Sequence, residues 1–231
     1  MVSGKIIERG HGGLVLSNAD VLVDLTQRGR WFSIPTNAGW TETNVGVGDA
    51  TFQPFYMRVD TAGGASASSL ATTGIYGLDK LTGGSRFEID WSKKLRILVT
   101  LVWAVGPGTP VAHFQLKDVS TIGALAEKGL GVKILANGSL TGESYGSTLG
   151  SVALLTMTAS ESYQVEIRHY PAIPKVEFWV DGVLKGTQST SANIPQTLAT
   201  VAGYLAFSAS EGVGGDRMLA EAGGIWIWKE R

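Results

Sequence analysis

The chemistry-bearing side chains of this 231-residue chain are few and widely scattered. Its three histidines, His11, His113 and His169, share no spacing that would bring two imidazoles onto one metal. With zero cysteines, thiolate metal sites, thiol nucleophiles and disulfides are all absent. There is no Gly-x-Ser-x-Gly elbow to expose a serine and no Gly-Lys-Ser/Thr loop to cradle a phosphate, and Gly83-Gly-Ser-Arg86 reads as a turn. Asp181 is an acidic residue followed by glycine. That pair suits a calcium-binding loop, but it equally spells a two-residue hairpin turn, which needs no metal. Neither a catalytic set, a metal site nor a cofactor is expected.

The tryptophans carry more information. Trp179 alternates with Phe178 and Val180, so it shares a face with Lys175, Glu177 and Asp181, while Trp226 and Trp228 lie opposite Ile225 and Ile227. Aromatics on a polar face stack on sugar rings or anchor a protein interface unless the same chain covers them. Trp40, set among glycines and polar residues, is the best single candidate for an exposed contact. Trp40, Trp179, Asp181 and Trp226 are therefore the candidate glycan or partner contacts.

These residues must be positioned by strands. The chain is 44 % hydrophobic and only 17 % charged, with 31 glycines against 7 prolines, which suits many short strands and tight turns. Arg86–Trp91 alternates strictly, with Phe87, Ile89 and Trp91 on one face and Arg86, Glu88 and Asp90 on the other, as in cross-strand ion pairing on a solvated sheet. Leu95–Val105 is apolar on nearly both faces and reads as a covered central strand; at that length, with Arg96 inside it, it does not span a membrane. Further strands are expected over 30–34, 131–135, 163–170, 198–208 and 224–229, and over one run from Thr51 to Val59 that Pro54 places at a sheet edge or bulge. Val176–Val180, Asp181-Gly182 and Val183–Lys185 spell a type I′ hairpin, and Asn137-Gly138 another turn. Residues 61–74 read as a surface loop, and Val119, Ile122, Leu125 and Leu130 support a turn or two of helix.

Turns recur at intervals of about 8 to 12 residues with no linker or repeat, the pattern of one all-β sandwich. The expected fold is a two-sheet antiparallel β-sandwich over 28–231, preceded by an arm or hairpin over 1–27. Lys5, Glu8 and Arg9 interrupt the N-terminal apolar residues, so no signal peptide is expected. With 19 Lys and Arg against 20 Asp and Glu, no basic field draws nucleic acid.

The segment from Tyr163 to Pro195, with Tyr-Gln-Val-Glu-Ile, then Val-Glu-Phe-Trp-Val-Asp-Gly-Val-Leu-Lys-Gly-Thr, then Asn-Ile-Pro, resembles the concanavalin A-like lectin and glucanase superfamily. Phe87-Glu-Ile-Asp-Trp followed by Leu95-Arg-Ile is similar to its middle strands, and the likeness spans residues 30–231. It implies a jelly roll. Hydrolases of this superfamily carry Glu-x-Asp-x-x-Glu along one strand; Glu88 and Asp90 match its first two positions, but Lys93 stands at the third. A retaining glycosidase needs two carboxyls about 5 to 5.5 Å apart, and lysine cannot replace one.

The Phe87–Lys94 and Trp179–Gly182 segments also look like concanavalin A-like proteins of phage genomes. The leading expectation is thus a non-catalytic virion structural or attachment protein, located in the virion. Its arm, through Leu14, Leu16, Val21, Val23 and Leu25, would assemble with copies of itself or other virion subunits. A lectin-like module binding surface glycans is the alternative, and a glycoside hydrolase the least favoured.

Overall fold

A computed structural model of the chain describes residues 29–33, 40–45, 49–52, 56–60, 71–77, 88–105, 111–119, 123–197, 201–210 and 218–230. The arm with Leu14, Leu16, Val21, Val23 and Leu25, together with His11, Pro54, residues 61–70 and Gly83–Arg86, lies outside the described residues.

The strands are β1 (Gly29–Ser33), β2 (Trp40–Val45), β3 (Asp49–Phe52), β4 (Tyr56–Asp60), β5 (Ala71–Gly77) and β6 (Glu88–Ile89). Next come β7 (Leu95–Val105), β8 (Val111–Lys117), β9 (Gly129–Leu135), β10 (Ser139–Tyr145), β11 (Leu149–Thr156) and β12 (Ser162–Tyr170). The series closes with β13 (Lys175–Val180), β14 (Val183–Gln188), β15 (Val201–Ala202), β16 (Tyr204–Ser210) and β17 (Met218–Glu230). An eight-stranded sheet runs β14-β13-β12-β7-β17-β4-β3, with β1 also on β17, and a seven-stranded sheet runs β11-β10-β9-β8-β16-β5-β2. Every pairing in both is antiparallel.

Alternation explains the core. From β7, Leu95, Ile97, Val99, Leu101 and Trp103 point between the sheets, where they join Val165 and Ile167 of β12, Phe178 of β13, Phe114 and Leu116 of β8, and Phe207 of β16. As Leu95–Val105 predicts, β7 is central, flanked by β12 and β17. Its outward Leu98 is also buried. The Asp181-Gly182 hairpin is equally well read from sequence: φ is +50° and +76° at the two residues, the left-handed pair a type I′ turn requires.

Several expectations give way. Residues 123–128, the described part of the expected helical turn before β9, are not helical, and Ile122 lies outside the described residues. The Asp118 amide donates to the Lys128 carbonyl at 3.1 Å where β8 and β9 pair Lys117 to Gly129, and Leu125 and Leu130 are buried in the core. Residues 71–74, expected in the surface loop for their small, polar make-up, belong to strand β5, because both β16 and β2 offer them a ladder. The single strand expected from Thr51 to Val59 is the hairpin β3–β4. Strands β8, β10 and β11 had no counterpart in the sequence reading.

The two sheets meet at their open edges as well. A bulge in β14 sets Gly186 opposite Phe178 and Leu184 opposite Trp179, and one in β11 sets Leu155 opposite Leu140 and Ala153 opposite Thr141. A side chain at Gly186 would meet Leu154 and Val152 at 2.8–2.9 Å, so glycine permits this close approach. Bulges of this kind twist an edge away from pairing with another strand.

Candidate functional site

Polar side chains concentrate on the two outer faces, and differently on each. On the outer face of the eight-stranded sheet, Arg96 of β7 and Arg168 of β12 are direct cross-strand neighbours, a like-charge placement. Glu166 resolves it. Its Oε1 accepts from Arg96 Nε at 2.7 Å and Arg168 Nε at 2.9 Å, and its Oε2 accepts from Arg168 Nη2 at 2.9 Å. The Arg168 guanidinium then lies 4.1 Å from the ring centroid of Trp179, whose Nε1 donates to Glu177 Oε2 at 3.2 Å. Trp179 is thus on the charged face, as its alternation indicates, half-buried and engaged by its own sheet. Lys175 holds the Glu177 carboxylate at 2.7 Å; this contact and the Trp179 donor keep Glu177 below the usual carboxylate range against the opposing effect of burial.

Asp181 is likewise committed within the fold. Its Oδ1 accepts from the Gln164 amide at 2.8 Å and its own amide donates to the Gln164 carbonyl at 2.9 Å, tying the hairpin tip to β12. Trp226 is half-buried on β17, opposite Leu98 of β7 and Ser33 of β1. Trp40 opens strand β2 instead of sitting in a loop, and its half-buried side chain packs against the core. The reason is register: Trp40 pairs with Tyr76, which pairs with the core residue Leu205. Trp179 and Trp226 do share the outer face of the eight-stranded sheet, in one cross-strand row with Glu166 and Leu98 between them, and Asp181 closes the Trp179 hairpin, whereas Trp40 belongs to the other sheet.

Nor do Glu88 and Asp90 share a strand face. Strand β6 ends at Ile89, and Asp90 turns the chain: its Oδ1 accepts from the Ser92 amide at 2.9 Å and the Ser92 hydroxyl at 2.5 Å, while the Lys93 amide donates to its carbonyl at 3.0 Å. The ion-paired strand face expected over Arg86–Asp90 is replaced at Asp90 by this turn. The alternating burial of Ile89 and Trp91 does hold, both being fully enclosed.

The outer face of the seven-stranded sheet carries the densest polar cluster among the described residues. On β8, Ala112, Phe114 and Leu116 enter the core, which turns His113, Gln115 and Lys117 outward in a row. All three are nonetheless buried, Gln115 and Lys117 at 1 % exposure and His113 at 6 %. Lys117 Nζ donates to Gln115 Oε1 at 3.1 Å, and Gln115 Nε2 lies 3.4 Å from His113 Nδ1. His113 Nδ1 is in turn 3.8 Å from Oε2 of Glu143, which projects from β10, and Lys133 of β9 pairs with Glu143 Oε1 at 3.0 Å. Five side chains from three strands thus form one chain of contacts.

Its electrostatics follow from enclosure. Burial pushes the Lys117 ammonium down to about 8, against the pull of Glu127. Burial works against the charge of Glu143, yet the carboxylate lies below its usual range, with the Lys133 ammonium 3.0 Å from its Oε1. Glu143 is 1 % exposed, and its Oε2 has no hydrogen-bond donor. A buried acceptor left without a donor costs about 1–3 kcal/mol, more when charged, so this oxygen is where a ligand hydroxyl or a water gains most. Tyr145, beside Glu143 on the same face, and Tyr204, the cross-strand neighbour of Lys117, are half-exposed, and Ser151 opposite Glu143 is exposed.

Sequence inspection missed this cluster. The alternation in Val111–Lys117 was the available signal: apolar residues at 112, 114 and 116, polar ones at 113, 115 and 117. Nothing comparable marks Glu143, whose strand Ser-Leu-Thr-Gly-Glu-Ser-Tyr has no apolar alternation. Among the described residues no group of three or more His, Asp and Glu side chains could hold a metal ion, and no helix is long and apolar enough to cross a membrane.

No protein-family model matches the chain, and no curated protein matches its sequence. Its likenesses are to solved structures. A prokaryotic β-1,3-1,4-glucanase (lichenase) from a mouse hindgut metagenome superposes with a TM-score of 0.56 at 12 % identity, over 87 % of this chain and 98 % of that one. The carbohydrate recognition domain of Emp46p in its potassium-bound form gives 0.55 at 10 % identity, over 86 % and 98 %. A sialidase gives 0.51 at 11 % identity, over 82 % of this chain but only 17 % of the much longer enzyme. Identities this low speak for architecture alone. With its two packed antiparallel sheets, the chain has the concanavalin A-like jelly-roll fold shared by lectin domains and β-glucanases.

Proposed function

We propose that this chain is a non-catalytic, lectin-like carbohydrate-binding protein whose ligand meets the outer face of the seven-stranded sheet, beside the Glu143–Lys133 pair. The observation that carries the reading is Glu143 Oε2, a buried carboxylate oxygen with no donor, set among an amide, an imidazole, two ammonium groups and flanking tyrosines. Sugars present closely spaced hydroxyls that donate and accept at once, and their rings pack on tyrosine. This face supplies both kinds of partner. The non-catalytic half rests on carboxylate count: hydrolysis of a glycosidic bond needs an acid and a second carboxylate across it, and in the described contact chain Glu143 is the one carboxylate. Lectin domains and glucanases both use this fold, which makes a glycan ligand the natural class to test first.

Glycan-array screening of the purified chain, followed by calorimetry on the best ligand, tests the proposal. Glu143→Gln should weaken binding at least tenfold with unchanged circular dichroism, while Trp179→Ala on the opposite sheet leaves it intact. A blank across neutral and acidic glycans, binding lost only with Trp179, or turnover of a β-glucan would each overturn it. An assembly role for the arm lies with residues 1–27, outside the described residues, and no observation here favours it over glycan binding.

A further inference from the structure

We infer that His113 carries its single proton on Nε2, and that Lys117 holds it there through Gln115, making these two the residues that set the hydrogen-bonding polarity of the proposed glycan site. The assignment follows from which groups can only donate. An ammonium has donors and no lone pair, so Lys117 Nζ, 3.1 Å from Gln115, must face the carboxamide oxygen. That fixes the amide: Oε1 points to Lys117 and the Nε2 donors point to His113. Gln115 Nε2 then lies 3.4 Å from His113 Nδ1, and two donors cannot face each other, so Nδ1 accepts with its lone pair. A neutral imidazole that accepts at Nδ1 has its hydrogen on Nε2.

A second observation agrees independently. Glu143 Oε2 stands 3.8 Å from the same Nδ1, outside hydrogen-bonding distance, and has no donor from any source. An Nδ1–H would have been the obvious donor for a buried carboxylate, and the pair would close to about 2.7–2.9 Å. The open gap is what two facing acceptors produce. Lys133, the cross-strand neighbour of His113 on β9, satisfies the other carboxylate oxygen and leaves this one unfilled. Ser208, its neighbour on β16, is a hydroxyl that adapts to either tautomer.

The consequence is a face with set polarity. His113 offers an Nε2–H donor and Glu143 an unfilled acceptor, a complementary pair for a ligand that presents an acceptor and a donor together. Lys117 and Gln115 act as positioning residues, since reversing the amide would move the imidazole proton to Nδ1, fill the Glu143 acceptor internally, and leave Nε2 as an acceptor. Burial leaves Lys117 protonated below about pH 8, the range in which the arrangement holds. The role of the tautomer in ligand choice rests on the carbohydrate-binding reading; the tautomer itself does not.

Long-range proton–nitrogen correlation spectra of the uniformly nitrogen-15-labelled full chain at pH 7.5 read the tautomer directly, with the His113 signal assigned by its loss in His113→Gln. The expected spectrum shows a pyrrole-type Nε2 and a pyridine-type Nδ1. Gln115→Glu places a carboxylate that can only accept beside Nδ1, and should invert the pattern. An Nδ1–H tautomer or a doubly protonated ring in the wild type would overturn the inference, as would an unchanged pattern in a folded Gln115→Glu. If that variant does not fold, the wild-type spectrum decides alone. No ligand is needed, so a blank glycan array leaves this result standing, and a wrong tautomer leaves glycan binding standing.

Discussion

The guanidinium of Arg168 stands 4.1 Å from the centre of the Trp179 ring while Glu166 grips its other side and also holds Arg96, so one carboxylate and one indole stabilise two cross-strand arginines that would otherwise repel. The contact is enclosed enough to matter, since Arg168 is only 9 % exposed. A double-mutant cycle over Arg168→Met and Trp179→Leu should give a coupling of about 0.5–2 kcal/mol by urea denaturation. Additive single effects would mean that the two side chains are neighbours without interacting.

Strand β7 supplies the centre of the core. Ile97 and Leu101 are fully buried between the sheets, so replacing either with alanine removes three carbons' worth of apolar burial and leaves a cavity. Each substitution should cost about 2–5 kcal/mol in chemical denaturation with an unchanged m-value. Wild-type stability in either variant would contradict the packing of this strand.

At the β13–β14 turn, Asp181→Asn keeps both the left-handed tolerance and an Oδ1 able to accept from the Gln164 amide. Its melting temperature should move by no more than about 2 °C, and calcium should shift neither protein. Gly182→Val forces a β-branched residue to φ of +76° and should destabilise clearly. A calcium-dependent rise in melting temperature that Asp181→Asn abolishes would instead make Asp181 a ligand.

His169 adds an acid-sensitive element. It is 1 % exposed, its Nε2 lies 2.7 Å from the Pro195 carbonyl, and its ring meets Trp91 edge-on at 5.8 Å. Burial pushes it down to about 4, against the opposing pull of its bond to the Pro195 backbone. Between about pH 6.5 and 4 the unfolded chain therefore binds more protons than the folded one. Stability from this group is complete above pH 6.5 and is lost as pH falls toward 4. Comparing urea denaturation of wild type and His169→Gln across that range checks it: the wild type should lose stability faster on acidification, and parallel curves would show that His169 does not titrate with unfolding.

Legibility differed by residue. Strand β7 and the Asp181-Gly182 hairpin were plain because each is governed by neighbours in sequence: an unbroken apolar run, and two residues that tolerate positive φ. Residues 71–74 were misread because small polar side chains carry almost no local preference, and their strand exists because β16 and β2 both pair with it. Over residues 123–128 a helical spacing misled for the converse reason: Leu125 is drawn into the core while the pairing of β8 with β9 holds the two ends of the connection together. Trp40 lost its expected exposure to register, which aligned it with Leu205 on the core side.

The all-β class, the central apolar strand and the tight turns were legible because alternation, hydropathy and glycine placement act over a few residues, and the jelly roll followed from the resemblance carried by Tyr163–Pro195. Where the chemistry gathers depends instead on which strands become neighbours. His113, Gln115 and Lys117 alternate on one strand, but Lys133 and Glu143 arrive from two others, and no local rule states that β8, β9 and β10 lie side by side. Which residues are then enclosed is settled by the packing of the whole sandwich. The shifts of Lys117 and Glu143, and the donorless oxygen between His113 and Lys133, come from that enclosure, which depends on contacts among strands distant in sequence.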